Sequence, residues 1–508
     1  MVKKMKVFKR YDMVIWLAYL YILIPFIIFV LGWLGLRYSI PAILILAACY
    51  WKACREDSSE KFQINIKYNN ILKIFIIALI IFIWVYFSGI GRCVFQNSDH
   101  SVRNSIFEIL VSYEWPIKNY EITNERIAGA NATSLIYYIG FWLPSALVGK
   151  IFGIEAGYTF QMVWAILGLL LFYYLVCARL KRLAIWPLIV IVFFSGLDII
   201  GEYLMGINLF TMENDLHLEW WIGTYQFSSM TTQLFWVFNQ SIPAWICTML
   251  AFNQKNNRNL ILILACCMIQ GTLPFVGLLL LVLFWCFNRK YDLHFKNCKL
   301  IEYIKKYLIS LLRDTLTLQN FLGGGIVGII SFGYLIGNRS SGNIMQESII
   351  SYAMENNLLK YIIFILVEIG AYFIILYRYH EKDKLYYFLL CCLCVIPPIK
   401  VGNSSDFCMR ASIPALLVLT IYVLEALSRA YYEKNKLFFY SLIVVLLLGS
   451  FTPIHEFTRT IKNTVNSVNN GENPYIDSQD EAEKISILNS ANFSGVIDNN
   501  WFYKYIVK

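Results

Sequence analysis

The sequence predicts an all-α polytopic membrane protein with about 13 transmembrane helices, and three observations support this fold class. Of the 508 residues, 58% are hydrophobic and only 15% are charged, which is too apolar for a set of soluble domains. Many apolar stretches reach the roughly 17 to 25 residues that a helix needs to cross a hydrocarbon core of about 30 Å. These stretches run continuously apolar, whereas the strands of a transmembrane barrel would alternate in polarity.

Thirteen stretches of the chain are predicted to span the membrane. The first follows a basic segment, residues 1–10, and is too long for a cleaved signal sequence, so we expect a cytoplasmic N-terminus. The predicted spans are 13–36, 38–51, 70–90, 157–177, 183–201, 236–252, 259–271, 273–287, 321–337, 359–377, 384–399, 411–428 and 436–453. Gly271 and Pro274 interrupt the short pair 259–271 and 273–287, for which a re-entrant hairpin is the alternative.

One more apolar stretch, residues 135–149, decides the sidedness of everything after it. The positive-inside rule favours a surface helix on the outer face, because that arrangement puts most of the 43 Lys and Arg residues on the cytoplasmic side. The outer segments are then a long first loop at 91–156, which carries this helix, a second loop at 202–235 and a tail at 454–508. We therefore expect one integral membrane domain, 1–453, followed by a small outer tail.

Charge, cysteine usage and missing motifs exclude several classes of function. The formal net charge of +10 comes from Lys and Arg at helix ends, which set topology and do not form a nucleic-acid binding face. One basic segment, 291–319, is expected to lie as an amphipathic helix on the cytoplasmic membrane surface. The 13 cysteines fall mostly in predicted helices and inner loops, so we expect no disulfide framework. The sequence contains no phosphate-binding glycine loop, which argues against nucleotide hydrolysis.

The first outer loop opens with an acid and an imidazole just outside the third predicted span. Asp99 and His100 are adjacent, and Arg103 follows about one helical turn later. Polar groups at this depth are costly unless they are paired, and they mark candidate functional sites in membrane proteins. Asp99 and His100 are therefore candidate catalytic residues, and Arg103 is a candidate substrate-binding residue. The alternative is that Asp99 only caps the helix that follows.

The second outer loop carries four ionisable side chains in seven residues and no Lys or Arg. Carboxylates suit Mg²⁺ and Mn²⁺, and a neutral imidazole is acceptable to Mn²⁺, so Asp215 and His217 are predicted to join Asp99 around one such ion. Glu219 and Trp221 are assigned to substrate binding. The alternatives are a solvated acidic loop with His217 packed on a neighbouring tryptophan, and loop aromatics that lie at the lipid headgroup level.

A shorter outer loop, 400–412, places two cations between two late helices. Lys400 and Arg410 are candidates for binding a lipid phosphate, because the forked donors of Arg and the point charge of Lys are the usual protein groups for that purpose. Asp406 is assigned to the same substrate site. A simple ion pair between Arg410 and Asp406 is the alternative.

This layout resembles the GT-C superfamily of integral membrane glycosyltransferases, which contains the oligosaccharyltransferases, protein O-mannosyltransferases and lipid A aminoarabinose transferases. The resemblance covers residues 70–290. It consists of a helix, a long outer loop with an acid near its start at Asp99, a surface helix interrupted by Pro144, and a long apolar helix with a basic end at 179–182.

The resemblance implies a catalytic role for Asp99 and, by similarity to oligosaccharyltransferases, metal-ligand roles for Asp215 and His217. It further implies a polyprenyl-phosphate sugar as donor and a cell-surface glycan, teichoic acid or lipid as acceptor, among the lipids on the outer face of the plasma membrane. The tail is short and no W-W-D-x-G motif is present, which argues against protein N-glycosylation.

Two other functions stay open. A flippase for lipid-linked saccharides predicts charges near the middle of helices, and a polysaccharide polymerase or ligase normally has its large outer loop late in the chain.

Overall fold

The structure is a computed structural model, and it describes residues 10–59, 68–118, 133–206, 217–289, 300–338, 358–401, 405–478, 480–490, 492–498 and 500–508. In chain order its α-helices are α1 Arg10–Trp33, α2 Leu36–Glu56, α3 Tyr68–Phe87, α4 Asp99–Ser112, α5 Leu143–Phe152, α6 Ile154–Leu180, α7 Trp186–Val192, α8 Asp198–Leu204, α9 Met230–Asn253, α10 Leu260–Met268, α11 Thr272–Phe287, α12 Leu300–Thr315, α13 Gly325–Leu335, α14 Leu358–Ile365, α15 Ala371–His380, α16 Lys384–Val395, α17 Asp406–Ala411, α18 Ile413–Tyr432, α19 Lys436–Gly449, α20 Phe451–Asn469, α21 Glu481–Asn489 and α22 Trp501–Tyr505. Short 3₁₀ turns lie at Gly140–Trp142 and Leu218–Trp220, and π-helical turns lie at Gln319–Gly324 and Leu366–Gly370.

Seven helices in the described part of the chain are long and apolar enough to cross a membrane. They are Met13–Trp33, Asn69–Phe87, Ile154–Leu180, Met230–Asn253, Leu358–His380, Ile413–Tyr432 and Lys436–Asn469. A pair of helices bent by 66°, Ile304–Thr315 and Gln319–Leu335, makes eight if the pair is one span. An all-α membrane protein is thus confirmed, while the count of about 13 spans and the GT-C-like arrangement stay predictions.

Several predicted elements have different bounds in the structure. The predicted span 183–201 consists of two seven-residue helices, α7 and α8, separated by a non-helical stretch at 193–197. The predicted surface helix 135–149 begins with a strand and a 3₁₀ turn, and its helical part is α5. Pro144 lies in the first turn of α5, where its missing N–H has no intrahelical partner to lose. Part of the basic segment 291–319 forms α12, as the amphipathic pattern predicts.

The central helix is α9, which packs against α6, α10, α11, α18 and α20. Ser229 caps its start, since the serine hydroxyl accepts a hydrogen bond from the Thr232 N–H at 2.9 Å. Pro243 lacks the N–H that would continue the hydrogen-bond ladder, and the backbone leaves helical angles at Val237, with φ −137° and ψ 36°. The kink at Val237 lies beside the outer loops and offers the carbonyl oxygen of Phe235 to them.

The described C-terminal residues fold back onto the first outer loop. Strand β1, Thr133–Leu135, pairs antiparallel with β2, Ser494–Val496. Gly495 is required there, because a Cβ atom on it would lie 2.0 Å from the carbonyl oxygen of Gly337. Strands of three residues are too short for a periodic signal, so the all-α prediction does not contain this small sheet. Helix α20 runs across the predicted boundary at 453, and the division into domain and tail stays a prediction.

Candidate functional site

Asp99 is the first residue of α4, and its carboxylate is turned toward the next turn of that helix. Arg103 donates a hydrogen bond to Asp99 Oδ2 at 2.8 Å, while Ser98 makes no side-chain capping bond. The Asp99 side chain keeps 41% of its surface exposed, and that of Arg103 keeps 9%. A carboxylate in the first turn is also favoured by the positive end of the helix dipole. Asp99 is therefore a part-exposed acid held by a buried cation.

His100 lies behind Asp99 in the protein interior. Its Nε2 atom donates to the carbonyl oxygen of Phe235 at 3.1 Å, and Gln96 approaches its Nδ1 atom at 3.3 Å. Burial, followed by the charge of Arg103, lowers the pKa of His100 to about 3, so the ring is neutral. Both ring nitrogens are occupied, which suits a residue that fixes α4 against the α9 kink. The catalytic role predicted for His100 stays a prediction.

Arg410, from α17, reaches the same place from the other end of the chain. It forms an ion pair with Asp406 at 3.1 Å and donates to the Tyr138 hydroxyl at 3.0 Å. Gln240 on α9 donates to the same hydroxyl at 3.2 Å, and the Tyr137 hydroxyl lies against it. The ion pair weighed as the alternative is thus present, and the arginine has a second partner.

These side chains form one group, the Asp99 cluster, which comes from the first outer loop, α9 and α17. Its members are Asp99, Arg103, Tyr137, Tyr138, Gln240, Asp406 and Arg410. Burial would raise the pKa of the Asp99 carboxyl, but Arg103 and then Arg410 outweigh it, so the pKa lies below its usual value. Asp99 is therefore ionised at neutral pH.

The two arginines of the Asp99 cluster retain hydrogen-bonding capacity. Arg103 Nη1 and Arg410 Nε are both buried without a hydrogen-bond partner among the described residues. A buried donor left unpaired costs about 1 to 3 kcal/mol, and more when it is charged. An anionic ligand would supply the missing acceptors, and phosphate and carboxylate groups match the planar fork of arginine.

His217 lies in a second buried cluster. Its Nε2 atom faces Glu219 at 3.5 Å and its Nδ1 atom faces Glu456 at 3.2 Å, while its ring stacks on Trp236 at 5.0 Å. Burial would lower the pKa of His217, but Glu456 and Glu219 raise it above its usual value. The two carboxylates therefore favour the protonated imidazole, and Arg459 pairs with the second of them, Glu456.

The predicted metal site has only part of its residues in the described structure. Asp215 lies outside the described residues, and both nitrogens of His217 face carboxylates, so a metal would need the ring to leave these contacts. Among the described residues, no group of three His, Cys, Asp or Glu side chains has an arrangement that would hold a metal ion. The Mn²⁺ or Mg²⁺ site stays a prediction.

Glu219 and Trp221 are both buried, in contrast to the exposed positions expected of ligand contacts. Glu219 accepts hydrogen bonds from Gln226 and from the Ser229 backbone N–H, each at 2.8 Å. The Trp221 indole donates to Glu368 at 2.9 Å, inside the protein. Trp220 is the exposed member of the pair, with 52% of its surface accessible. Substrate binding by Glu219 and Trp221 stays a prediction, as does that of Lys400, which is half-buried after α16.

Gln226 connects the second loop to α17. Besides its bond to Glu219, its Oε1 atom accepts from Ser405 at 3.2 Å, and its carbonyl oxygen lies 3.1 Å from Cys408 Sγ. Ser405 directly precedes α17, the helix that carries Arg410. Sequence reasoning missed Gln226, Tyr138 and Gln240, because a neutral polar residue in an apolar chain has no spacing that marks its partners.

Comparison with known proteins identifies no relative, since no family model, curated protein or solved structure matches this chain. Support for a function therefore comes from the geometry of the described residues. The most informative geometry is a part-exposed carboxylate beside two arginines that have unused donors.

Proposed function

We propose that this protein is a glycosyltransferase that moves a sugar from a polyprenyl-phosphate donor to a glycan, teichoic acid or lipid acceptor on the outer face of the plasma membrane. The supporting observation is the Asp99 cluster, in which an ionised and part-exposed carboxylate lies beside Arg103 and Arg410. A base and a set of phosphate-binding cations are the two groups that such a transfer requires. The side chains of the cluster come from the first outer loop and from the segment before α18. A donor and an acceptor bound there would each contact a different part of the chain.

The proposed reaction gives each of these groups one role. Asp99 takes the proton of the acceptor hydroxyl as its oxygen attacks the anomeric carbon of the donor sugar. The bond from that carbon to the phosphate oxygen breaks, and the electron pair leaves with the polyprenyl phosphate. Arg103 Nη1 and Arg410 Nε donate to the phosphate as its charge develops. A single displacement of this kind inverts the anomeric centre.

Arginine is favoured over a metal as the source of positive charge in this proposal. The arginine donors are already beside the carboxylate, whereas His217 is engaged by Glu219 and Glu456. A Mn²⁺ or Mg²⁺ ion on Asp215 and His217 is the alternative. Activity that survives exhaustive chelation would remove those two residues from the ligand set, and loss that Mn²⁺ restores would retain them.

A second candidate, a transporter for lipid-linked saccharides, has one observation in its favour. Glu368 is fully buried in the middle of the span Leu358–His380, within the π-helical turn Leu366–Gly370. An ionisable residue at such a depth is costly and marks transport pathways in many membrane proteins. Its contact with Trp221 ties it to the second outer loop. A Glu368→Gln variant that abolishes saccharide movement, while no transfer is detectable, would favour this function.

The proposed transfer is tested with Asp99→Asn in the full-length protein. Membranes receive a panel of radiolabelled polyprenyl-phosphate hexoses, and release of polyprenyl phosphate is measured. Loss of a general base lowers turnover by about 10²- to 10⁴-fold, so near-complete loss is expected. Glu472→Gln, an exposed carboxylate on the predicted outer side, is the matched control and should keep full activity. Turnover of Asp99→Asn within a few-fold of the parent protein would contradict the assignment.

A further inference from the structure

A large cavity lies at the ends of the long helices opposite to the Asp99 cluster. The middle of α9, at Gln240, and the start of α18, next to the segment that carries Arg410, lie beside that cluster. Their C-terminal ends, near Asn253 and Glu425, line a cavity of about 1340 Å³. The end of α6 at Arg179 lines it as well. The cavity therefore opens toward the opposite side of the membrane, which the sequence predicts to be cytoplasmic.

The charges around this cavity are predominantly positive. Six cations and two carboxylates line it, a net of four positive charges, and the six cations are Arg179, Lys181, Lys255, Arg289, Lys382 and Lys384. Glu425 is already paired with Arg179 at 2.7 Å. Asp383, the other acid, accepts from the Tyr422 hydroxyl at 2.5 Å and from the Leu385 N–H at 2.9 Å. Glu425 thus offsets one of the six cations, Asp383 is held by hydrogen bonds, and the lining keeps a net positive charge.

Aromatic and amide groups form the wall between these cations. Phe252 stacks on Trp285 with ring centroids 5.6 Å apart, and the Arg179 guanidinium lies 4.0 Å from the Phe252 ring centroid. Asn253 and Asn288 contribute amide groups to the lining. An apolar wall strengthens electrostatic attraction, because it lowers the effective dielectric constant around a bound charge.

Topology-setting charge alone does not explain this arrangement. The positive-inside rule requires only that Lys and Arg lie near the inner ends of spans, and separate exposed positions satisfy it. Here the cationic side chains come from the ends of α6, α9 and α11 and from the turn between α15 and α16, and all of them line one concavity. Convergence of like charges in one concavity raises the local positive potential, which attracts anions.

We propose that this cavity binds an anionic ligand that carries two or more negative charges on phosphate groups, with an apolar or ring portion against Phe252 and Trp285. Lysine and arginine together are the usual protein groups for phosphate, and a net of four positive charges suits a multiply charged headgroup. The phosphate belongs either to a membrane lipid or to a soluble compound. This inference is independent of the chemistry proposed for the Asp99 cluster, since it concerns the other face of the protein.

The experiment compares two double variants of the purified full-length protein. Lys255→Gln with Lys382→Gln removes two charges from the cavity. Arg378→Gln with Lys436→Gln removes two exposed charges from helix ends on the same face, outside the cavity lining. One arm measures equilibrium dialysis of radiolabelled inorganic pyrophosphate. The other uses native mass spectrometry to count cardiolipin, a lipid with two phosphates, retained after exposure to cardiolipin-containing vesicles, with phosphatidylcholine vesicles as reference.

We expect the cavity variant to bind at least about tenfold more weakly in one arm, because each charge-assisted hydrogen bond is worth about 1.5 to 3 kcal/mol and 1.4 kcal/mol is tenfold. A loss confined to the pyrophosphate arm identifies a soluble phosphate ligand, and a loss confined to the cardiolipin arm identifies a lipid headgroup. Lysine acylation of the unmodified protein gives a check that needs no variant, since pyrophosphate or cardiolipin should shield Lys255 and Lys382 but not Lys436. Equal binding by both double variants in both arms, together with no shielding, would overturn the proposal.

Discussion

Replacing His217 by phenylalanine tests whether the buried imidazole is a structural cation. The phenyl ring keeps the stacking on Trp236 but removes the charge that faces Glu219 at 3.5 Å and Glu456 at 3.2 Å. Two buried carboxylates then lose their shared counter-charge. Because these groups are almost fully inaccessible to water, the loss is not made up by solvation.

The size of the effect follows from what each carboxylate retains. Removing one partner of a buried ion pair costs about 3 to 5 kcal/mol. Glu456 keeps its ion pair with Arg459, and Glu219 keeps its hydrogen bond from Gln226. We therefore expect a loss at the low end of this range, about 3 kcal/mol. Adding Glu219→Gln removes one of the two buried charges and should recover more than about 1 kcal/mol.

The measurement is unfolding in mixed micelles titrated with SDS and followed by tryptophan fluorescence between pH 5 and 9. Because folding raises the pKa of His217, its contribution is complete below the ordinary histidine pKa and is lost as pH rises through the raised value. His217→Phe should lack this pH-dependent component. His380→Phe, whose partner Asp383 is 40% exposed at 3.7 Å, is the control and should cost less than about 1 kcal/mol. A loss below about 1 kcal/mol for His217→Phe, or an unchanged pH profile, would refute a buried imidazolium.

Three further predictions concern the Asp99 cluster and the topology. Gly277→Ala should displace α17 and lower activity, because its Cβ would lie 1.9 Å from the carbonyl oxygen of Ala411, the residue after Arg410. The control Gly325→Ala places its Cβ in open space on another helix and should leave activity unchanged. Equal activity of the two variants would contradict this packing. Arg410→Lys should lower turnover roughly 10- to 100-fold, since a lysine loses the fork that binds two partners, and a smaller change would show that charge alone suffices. Lys255 and Asn470 are both exposed positions on opposite predicted sides of the membrane. In intact cells a cysteine at Lys255 should be shielded from an impermeant thiol reagent and one at Asn470 should be labelled. The reverse pattern would invert the predicted sidedness.

Much of the helical content was predictable, because the length and hydropathy of a span are local properties. Helices α1, α3, α6 and α9 lie close to their predicted bounds. The predicted span 183–201 was wrong as one continuous helix, since hydropathy does not report the break at 193–197. Whether every predicted apolar stretch crosses the membrane depends on helix length and tilt, which composition alone does not determine.

The contacts of the Asp99 cluster were likewise only partly predictable from the sequence. The ion pair of Asp99 with Arg103 is a local contact, since residues four apart on a helix are neighbours, although Arg103 was predicted only as a substrate-binding residue. The partnership of Arg410 with Tyr138 spans 272 residues, and no local pattern predicts it. Likewise, the sequence marks His217 as ionisable, but its contact with Glu456 requires α20 to pack against the second loop.

The sequence by itself determined the membrane class, most long helices and the acid at the start of the first loop, since each depends on residues close together in the chain. Only the tertiary structure decided which polar groups meet. The kink of α9 at Val237 exposes the carbonyl that anchors His100, and the packing of α11 against α17 sets the position of Arg410. Polar side chains in a low-dielectric interior must find partners, and helix packing determines which partners lie within reach.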